Sequence, residues 1–241
     1  MLNFGEIPKD QPTWAKPETE TPFRIALIGD FSARANRGEH ASRADLASRK
    51  PITIDFNRLD EVLAEISPRL RLEIDGGVVI AEISFDEIDS FHPDQIVRQV
   101  DEIDERRDDP EVATQLLKQV LHHPAYKDLE SSWRGLEWLL RRTAKSKFIE
   151  TVLFDITAIE LAADLCDGDD LGATQFYQWL VKQPAEKSIP VPWAALALVH
   201  SDIGITADSA QLFGRAARIA RFRRPDPALA RSSYPPVRGT G

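Results

Sequence analysis

The sequence predicts an α+β (or α/β) fold in which mixed sheets pack against helices. Three observations carry that expectation. Leu70, Leu72 and Ile74 alternate with Arg69, Arg71 and Glu73, and Val79, Ala81, Ile83 and Phe85 resume the alternation after Asp75-Gly76-Gly77. This is the pattern of a half-buried hairpin whose turn residues tolerate positive φ. Between 93 and 140 the apolar spacing changes to three and four, the period of amphipathic helices. Apolar runs at 23–29, 147–156 and 191–199 have the length and composition of strands. The hairpin is expected in one sheet and the later strands in another layer.

Each element follows from its residues. Residues 1–21 read as an extended, poorly packed arm, because Pro8, Pro12 and Pro17 interrupt helix and little there is apolar. Phe23 to Gly29 is the first strand, and 31–50, without a clear period, reads as a mobile loop. Ile52 to Phe56 alternates as a short strand. Asn57 is placed to cap a helix carrying Leu59, Val62, Leu63 and Ile66, which Pro68 ends. After the hairpin, Pro93 opens a helix with Ile96, Val97, Val100 and Ile103 in one stripe. The charged run 101–109 then marks a boundary, dividing the chain into modules at 22–108 and 109–221.

The second module begins with Val112, Leu116, Leu117, Val120 and Leu121 on one helical face. Pro124 starts the next helix, with Leu129, Trp133, Leu136 and Leu140 on its inner side. The strand at 147–156 is followed by Thr157-Ala-Ile-Glu160, a capping box. A helix is expected over 172–182 and a buried strand over 191–199. Thr206 caps a last helix through Leu212, Phe213, Ala216 and Ile219. From 222 to 241 four arginines face one acid among four prolines, which reads as a disordered or non-homologous tail.

Composition narrows the function classes. The 241 residues are 42% hydrophobic and 29% charged, ordinary for a globular chain, and the net charge of −9 gives no basic footprint for nucleic acid. No apolar run reaches the roughly 18–20 residues of a membrane span, and the first twenty residues lack the pattern of a secretory signal. A single cysteine, Cys166, cannot form an internal disulfide and points to a reducing compartment.

Residues that could carry chemistry each have a plainer structural reading. His122 and His123 point about 100° apart if helical, so they are poor co-ligands of one ion, and no metal or cofactor is expected. Gly29-Asp30 at a strand end could present a catalytic carboxylate, but it is also how a strand-ending turn looks. An enzyme would need a second acid, a nucleophile and a base converging there, and the sequence holds no P-loop, dinucleotide fingerprint or nucleophile elbow. Trp133, Trp138, Trp179 and Trp193 read as core aromatics. The acidic run 101–109 lacks the spacing of a calcium loop and reads as a solvated helix face. No catalytic residue is assigned.

One segment is more specific. Leu121-His122-His123-Pro124, then Leu129-Glu130, then Trp133-Arg134-Gly135-Leu136, resembles the start of the large contractile-sheath subunit of bacterial type VI secretion systems. Upstream, Ile25 to Ser32 (with Gly29-Asp30), Ile52 to Leu63, Pro68 to Leu70 and Phe91 to Val97 resemble the small sheath subunit of the same system. The likeness covers roughly 22–220 and implies a fusion of two proteins that are normally separate and pair tightly, the second of them shortened beyond 220. It implies a structural, non-enzymatic, cytoplasmic protein that polymerises around an inner tube and contracts, with other sheath subunits and the inner-tube protein as partners. It also implies linkage of neighbouring subunits by exchange of extended arms. The family's AAA+ recycling ATPase recognises an N-terminal helix of the large subunit, and that slot is taken here by the end of the small-subunit-like piece. The shortened second part keeps alternatives open: a non-polymerising adaptor or regulator of the same apparatus, a non-functional relative, or an α/β enzyme using Asp30.

Overall fold

The computed structural model describes residues 2–9, 12–14, 21–106, 108–187, 191–200 and 206–221. The tail expected over 222–241 lies outside the described residues. Six strands are present among those described: β1 (Phe23–Gly29), β2 (Ile52–Ile54), β3 (Arg69–Ile74), β4 (Val79–Ser84), β5 (Ile149–Asp155) and β6 (Ala195–Val199). Four of them make one sheet in the order β2-β5-β1-β6, with β1 parallel to both β5 and β6 and β2 antiparallel to β5. β3 and β4 pair as the expected hairpin, with Arg69 opposite Ser84 and Ile74 opposite Val79. Its turn places Asp75, Gly76 and Gly77 at φ of 52°, 66° and 90°, the region where glycine is least strained.

The central strands are apolar on both faces because they separate two cores. Leu27, Ile54 and Leu153 face one core, with the hairpin and the helices of the chain's middle. Ala26, Ile28, Val152 and Phe154 face the other. The period-2 geometry of a strand sends neighbouring residues to opposite cores.

The first core is closed by α2 (Leu59–Ile66), α3 (Pro93–Gln99), α4 (Asp101–Asp104), α5 (Pro110–His122) and α6 (Pro124–Thr143). Asp55, not Asn57, supplies the cap before α2: its carboxylate accepts from the N–H groups of Asn57 and Arg58 at 2.9 and 3.2 Å. The single stripe expected from 96 to 103 is broken at Val100, whose φ/ψ of −107°/98° ends α3 and starts α4, yet Ile96, Val100 and Ile103 all stay buried. Asp109 caps α5 through the Val112 N–H.

The second core is closed by α1 (Arg43–Ser48), α7 (Ala158–Cys166), α8 (Gln175–Tyr177) and α10 (Ala207–Arg221), with the short α9 (Gln183–Ala185) lying between α8 and α10 in the chain. The capping box of α7 forms in both directions between Thr157 and Glu160. The helix expected over 172–182 is instead two short helices joined by a wide π turn, Gln178–Lys182, just before Pro184. Proline has no N–H to continue the regular ladder there. Trp133, Trp179 and Trp193 are buried, but Trp138 is 57% exposed under the Arg142 guanidinium, 4.1 Å from its ring centre.

One further expectation is corrected and one is sharpened. The 31–50 segment is not a loose loop: Phe31, Ser32, Ala33 and Leu46 are buried, a 3-10 turn spans Ala35–Arg37, and α1 is capped by Ser42. The N-terminal arm is extended and mostly exposed over its described part, but it is anchored at a few points. Glu6 bridges to Asp170, Gly5 is buried, and Ile7 and Trp14 pack on the second core.

Candidate functional site

The two sequence signatures meet at the carboxyl end of β1. Gly29 is required there because a Cβ would stand 2.6 Å from the Val199 carbonyl of β6. The Asp30 carboxylate turns inward and accepts from the N–H groups of Arg34 and Ala35 at 3.0 and 2.8 Å and from the Ser32 hydroxyl at 3.3 Å. It therefore holds a strand-ending turn. Burial pushes its pKa upward, with Asp155 adding to the rise against the opposing backbone N–H groups and Arg34.

Across from this turn lies α6. Trp133 is fully buried and donates from Nε1 to the Phe31 carbonyl at 3.0 Å, while its ring meets the Phe31 ring edge-on with centroids 5.7 Å apart. Leu129 and Leu136 are buried on the same side. His123 is the N-cap of α6, its Nδ1 accepting from Ala125 N–H at 3.2 Å, and His122 points to solvent. Pro124 occupies the first helical position. Glu130 and Arg134 form a half-exposed pair at 3.7 Å, and Gly135 faces open space. A cleft of about 340 Å3 runs between the two signatures, lined by Asp30, Asn36, His123 and Asp128 together with apolar residues such as Leu70 and Leu129.

Behind Asp30 sits a charge cluster that the sequence reading missed. Arg34 pairs with Asp155 and reaches Glu160 at 3.2 Å. Arg49 grips Glu160 with two bonds of 2.9 Å and the Asp155 carbonyl at 3.0 Å. The Glu160 carboxylate, 1% exposed, also accepts from Ala41 and Thr157 N–H at 2.6 and 2.9 Å. Burial opposes its ionisation, but the Arg49 hydrogen bonds, the two N–H groups and Arg34 outweigh that and bring its pKa down to about 2. Both arginines come from the early segment and both acids from the later one. The local signal was limited to Glu160, visible as the last residue of a capping box.

Asp30 and Asp155 do converge on Ser32, the arrangement that an α/β enzyme would need first. Their oxygens are taken up by backbone N–H groups, Ser32 and Arg34, which makes a closed ionic network. Among the described residues no group of three or more His, Cys, Asp or Glu is placed to hold a metal ion, and no helix is long and apolar enough to cross a membrane.

Comparison with known families decides what these signatures belong to. Residues 98–221 match the family model described as EvpB/VC_A0108, tail sheath N-terminal domain. The chain belongs to the VipB tail-sheath family. Residues 11–129 match a second model, described as Type VI secretion system, VipA, VC_A0107 or Hcp2. No curated protein and no solved structure matches the chain. The chain is thus a VipA-like segment fused to a VipB-like one, a type VI secretion sheath component from two structural families, neither of them an enzyme family. The matches overlap over 98–129, so α4, α5 and the start of α6 belong to both. β1, from the VipA-like part, is the strand between β5 and β6 of the VipB-like part. The Arg34–Asp155 and Arg49–Glu160 pairs and the Trp133–Phe31 bond cross the same seam.

Proposed function

We propose that this chain is a structural subunit of a type VI contractile sheath in the bacterial cytoplasm, assembling with other sheath subunits around an inner tube. In this reading residues 22–108 and 109–221 act as the small and large partners joined in one polypeptide, with 1–21 as an arm and 222–241 as a tail. The observation that carries the reading is the shared sheet: β1 lies between β5 and β6 in continuous parallel register, from Phe23 opposite Ile149 to Gly29 opposite Asp155. Two proteins that must pair are here folded around a common strand. Contraction is then a change between two packings of a rigid unit, with no chemical step.

Contacts to neighbours are assigned to strand addition at β6. Among the described residues that strand is the outer member of the sheet, and Ala195–Val199 carries no charge or proline that would oppose pairing with an added strand. The test is co-expression with the sheath subunits and inner-tube protein of a type VI system, followed by electron microscopy and sedimentation. Incorporation into tubular assemblies, and self-association of the chain alone, are the expected results. A concentration-independent monomer unchanged by those partners would overturn both assembly and strand addition.

A further inference from the structure

We propose that the groove between α10 and the 168–172 turn is a binding site for an extended peptide, filled in cis by the chain's own residues 2–9. The site is built for backbone rather than for one particular side chain. Glu6 donates its N–H to the Asp169 carbonyl at 2.5 Å and accepts from Leu171 N–H at 2.8 Å, so the arm is held like a short strand. Arg215, 2% exposed, supplies the other end. Its guanidinium is fixed by the Leu165 and Gly168 carbonyls at 2.7 and 2.6 Å, and its Nε donates to the Asn3 carbonyl at 3.0 Å. A buried guanidinium needs that acceptor, so any occupant must present a carbonyl at this point. The Asn3 side-chain amide adds a bond of 2.6 Å to the Asp169 carboxylate.

Shape completes the selection. A Cβ at Gly214, in the middle of α10, would collide with the Phe4 ring, and one at Gly172 would come within 2.5 Å of the Pro8 ring. Alanine is the better helix former, so glycine at 214 works against the helix and in favour of an aromatic lying across it. A Cβ on buried Gly5, whose φ is 70°, would stand 2.8 Å from the Leu171 side chain. The ligand class is therefore an extended segment with an aromatic residue, then glycine at a left-handed position, then an apolar residue followed by proline. Leu-Asn-Phe-Gly-Glu-Ile-Pro-Lys, residues 2–9, has that order. The inference is independent of the sheath reading, because it rests on contacts within one chain.

The test uses the full chain and a fluorescein-labelled peptide of residues 2–9. In wild type the tethered arm competes at an effective concentration of about 1 mM, so the peptide binds weakly. Phe4→Ala weakens the arm and should tighten peptide binding about tenfold or more, on the same tethering argument. Phe4→Ala/Gly214→Ala should abolish it, because the groove no longer admits the peptide's phenylalanine. Equal binding by wild type and Phe4→Ala, no binding to either, or binding retained by the double variant would each overturn the proposal. A second measurement is trypsin cleavage after Lys9, which reports the open population when closing is fast. Gly214→Ala alone should speed it about tenfold while leaving near-UV dichroism unchanged. Unchanged cleavage, or an acceleration equally large in the Phe4→Ala background, would show that Phe4 does not hold the arm.

Discussion

The hairpin of β3 and β4 and the turn from Asp30 to Arg49 lie in the same half of the chain, and they are held by opposite kinds of force. The hairpin buries alternate residues (Leu70, Leu72 and Ile74 on one strand, Val79, Ala81 and Ile83 on the other) and leaves its charges in water. The turn buries Phe31, Ala33 and Leu46 but is closed by Arg34 and Arg49 acting on groups more than a hundred residues away. Apolar burial is non-directional and leaves a periodic trace in sequence. An ionic closure depends on where a distant strand ends, and it leaves no local period.

Trp133 is where the two regions meet, so its loss has the largest expected effect. Trp133→Ala removes a fully buried ring and the donor to the Phe31 carbonyl. A cost of about 3–5 kcal/mol is expected from the cavity, with the orphaned carbonyl adding to it. Urea unfolding of the purified variant measures it. A midpoint equal to the parent would mean that α6 does not support the turn.

This contrast also explains what could be read in advance. The hairpin and its turn, the caps at Thr157 and Thr206, the strands at 23–29, 147–156 and 191–199 and the inner face of α6 follow local rules, and the sequence displays them. The packing of 31–50 leaves no local trace because Arg34 and Arg49 look solvent-facing until Asp155 and Glu160 arrive beside them. The anchoring of the arm leaves no local trace for a related reason. Its prolines argue against regular structure, but an extended segment needs only Arg215, Asp169 and a few close-packed glycines to be held. Trp138 shares a helix with Trp133, and only the position of the core separates buried from exposed. Asp30 and the first turns of α6, from His123 to Ser132, line one cleft, a proximity that neither stretch displays in its local sequence.

The ionic half of the comparison can be broken directly. Arg49→Met keeps the apolar stem and removes the charge, leaving Glu160 buried with Arg34 as its remaining guanidinium. Removing one partner of a buried pair costs about 3–5 kcal/mol, and the lower end is expected because Arg34 persists. Adding Glu160→Gln should recover part of that loss. Additive losses in the double variant, measured by chemical denaturation, would show that the two side chains do not interact.

Acid titration sharpens the same point without mutation. Glu160 falls from 4.5 to about 2 on folding, so its contribution is complete above pH 4.5 and disappears as pH falls towards 2. That shift corresponds to about 3 kcal/mol. Asp30 has the opposite sign: its folded pKa lies above 3.8, so its favourable contribution is present at lower pH and is lost as pH rises through the folded value. The Glu160 effect dominates, and stability should decline between about pH 5 and pH 2. Glu160→Gln should flatten that decline, whereas Leu72→Ala in the hairpin should lower the whole curve and leave its slope unchanged. An equal slope in wild type and Glu160→Gln would contradict the assignment.

The smallest effect is expected at Trp138, and its smallness is informative. The ring is 57% exposed and its named partner is the Arg142 guanidinium stacked over it. An exposed cation–π contact is worth about 0.5–1 kcal/mol. Replacing tryptophan by alanine inside α6 returns a comparable amount of helix propensity, because alanine is the best helix former and tryptophan is several tenths of a kcal/mol worse. The two terms oppose each other, so Trp138→Ala should change the stability of the isolated chain by no more than about 0.5 kcal/mol. The same propensity gain is available to Trp133→Ala five residues earlier, where lost burial overwhelms it. Urea unfolding of the two variants side by side therefore isolates burial from helix preference on a single helix. A loss of about 2 kcal/mol or more at Trp138 would require a packed ring, and α6 would then bury a second face that this fold leaves in solvent.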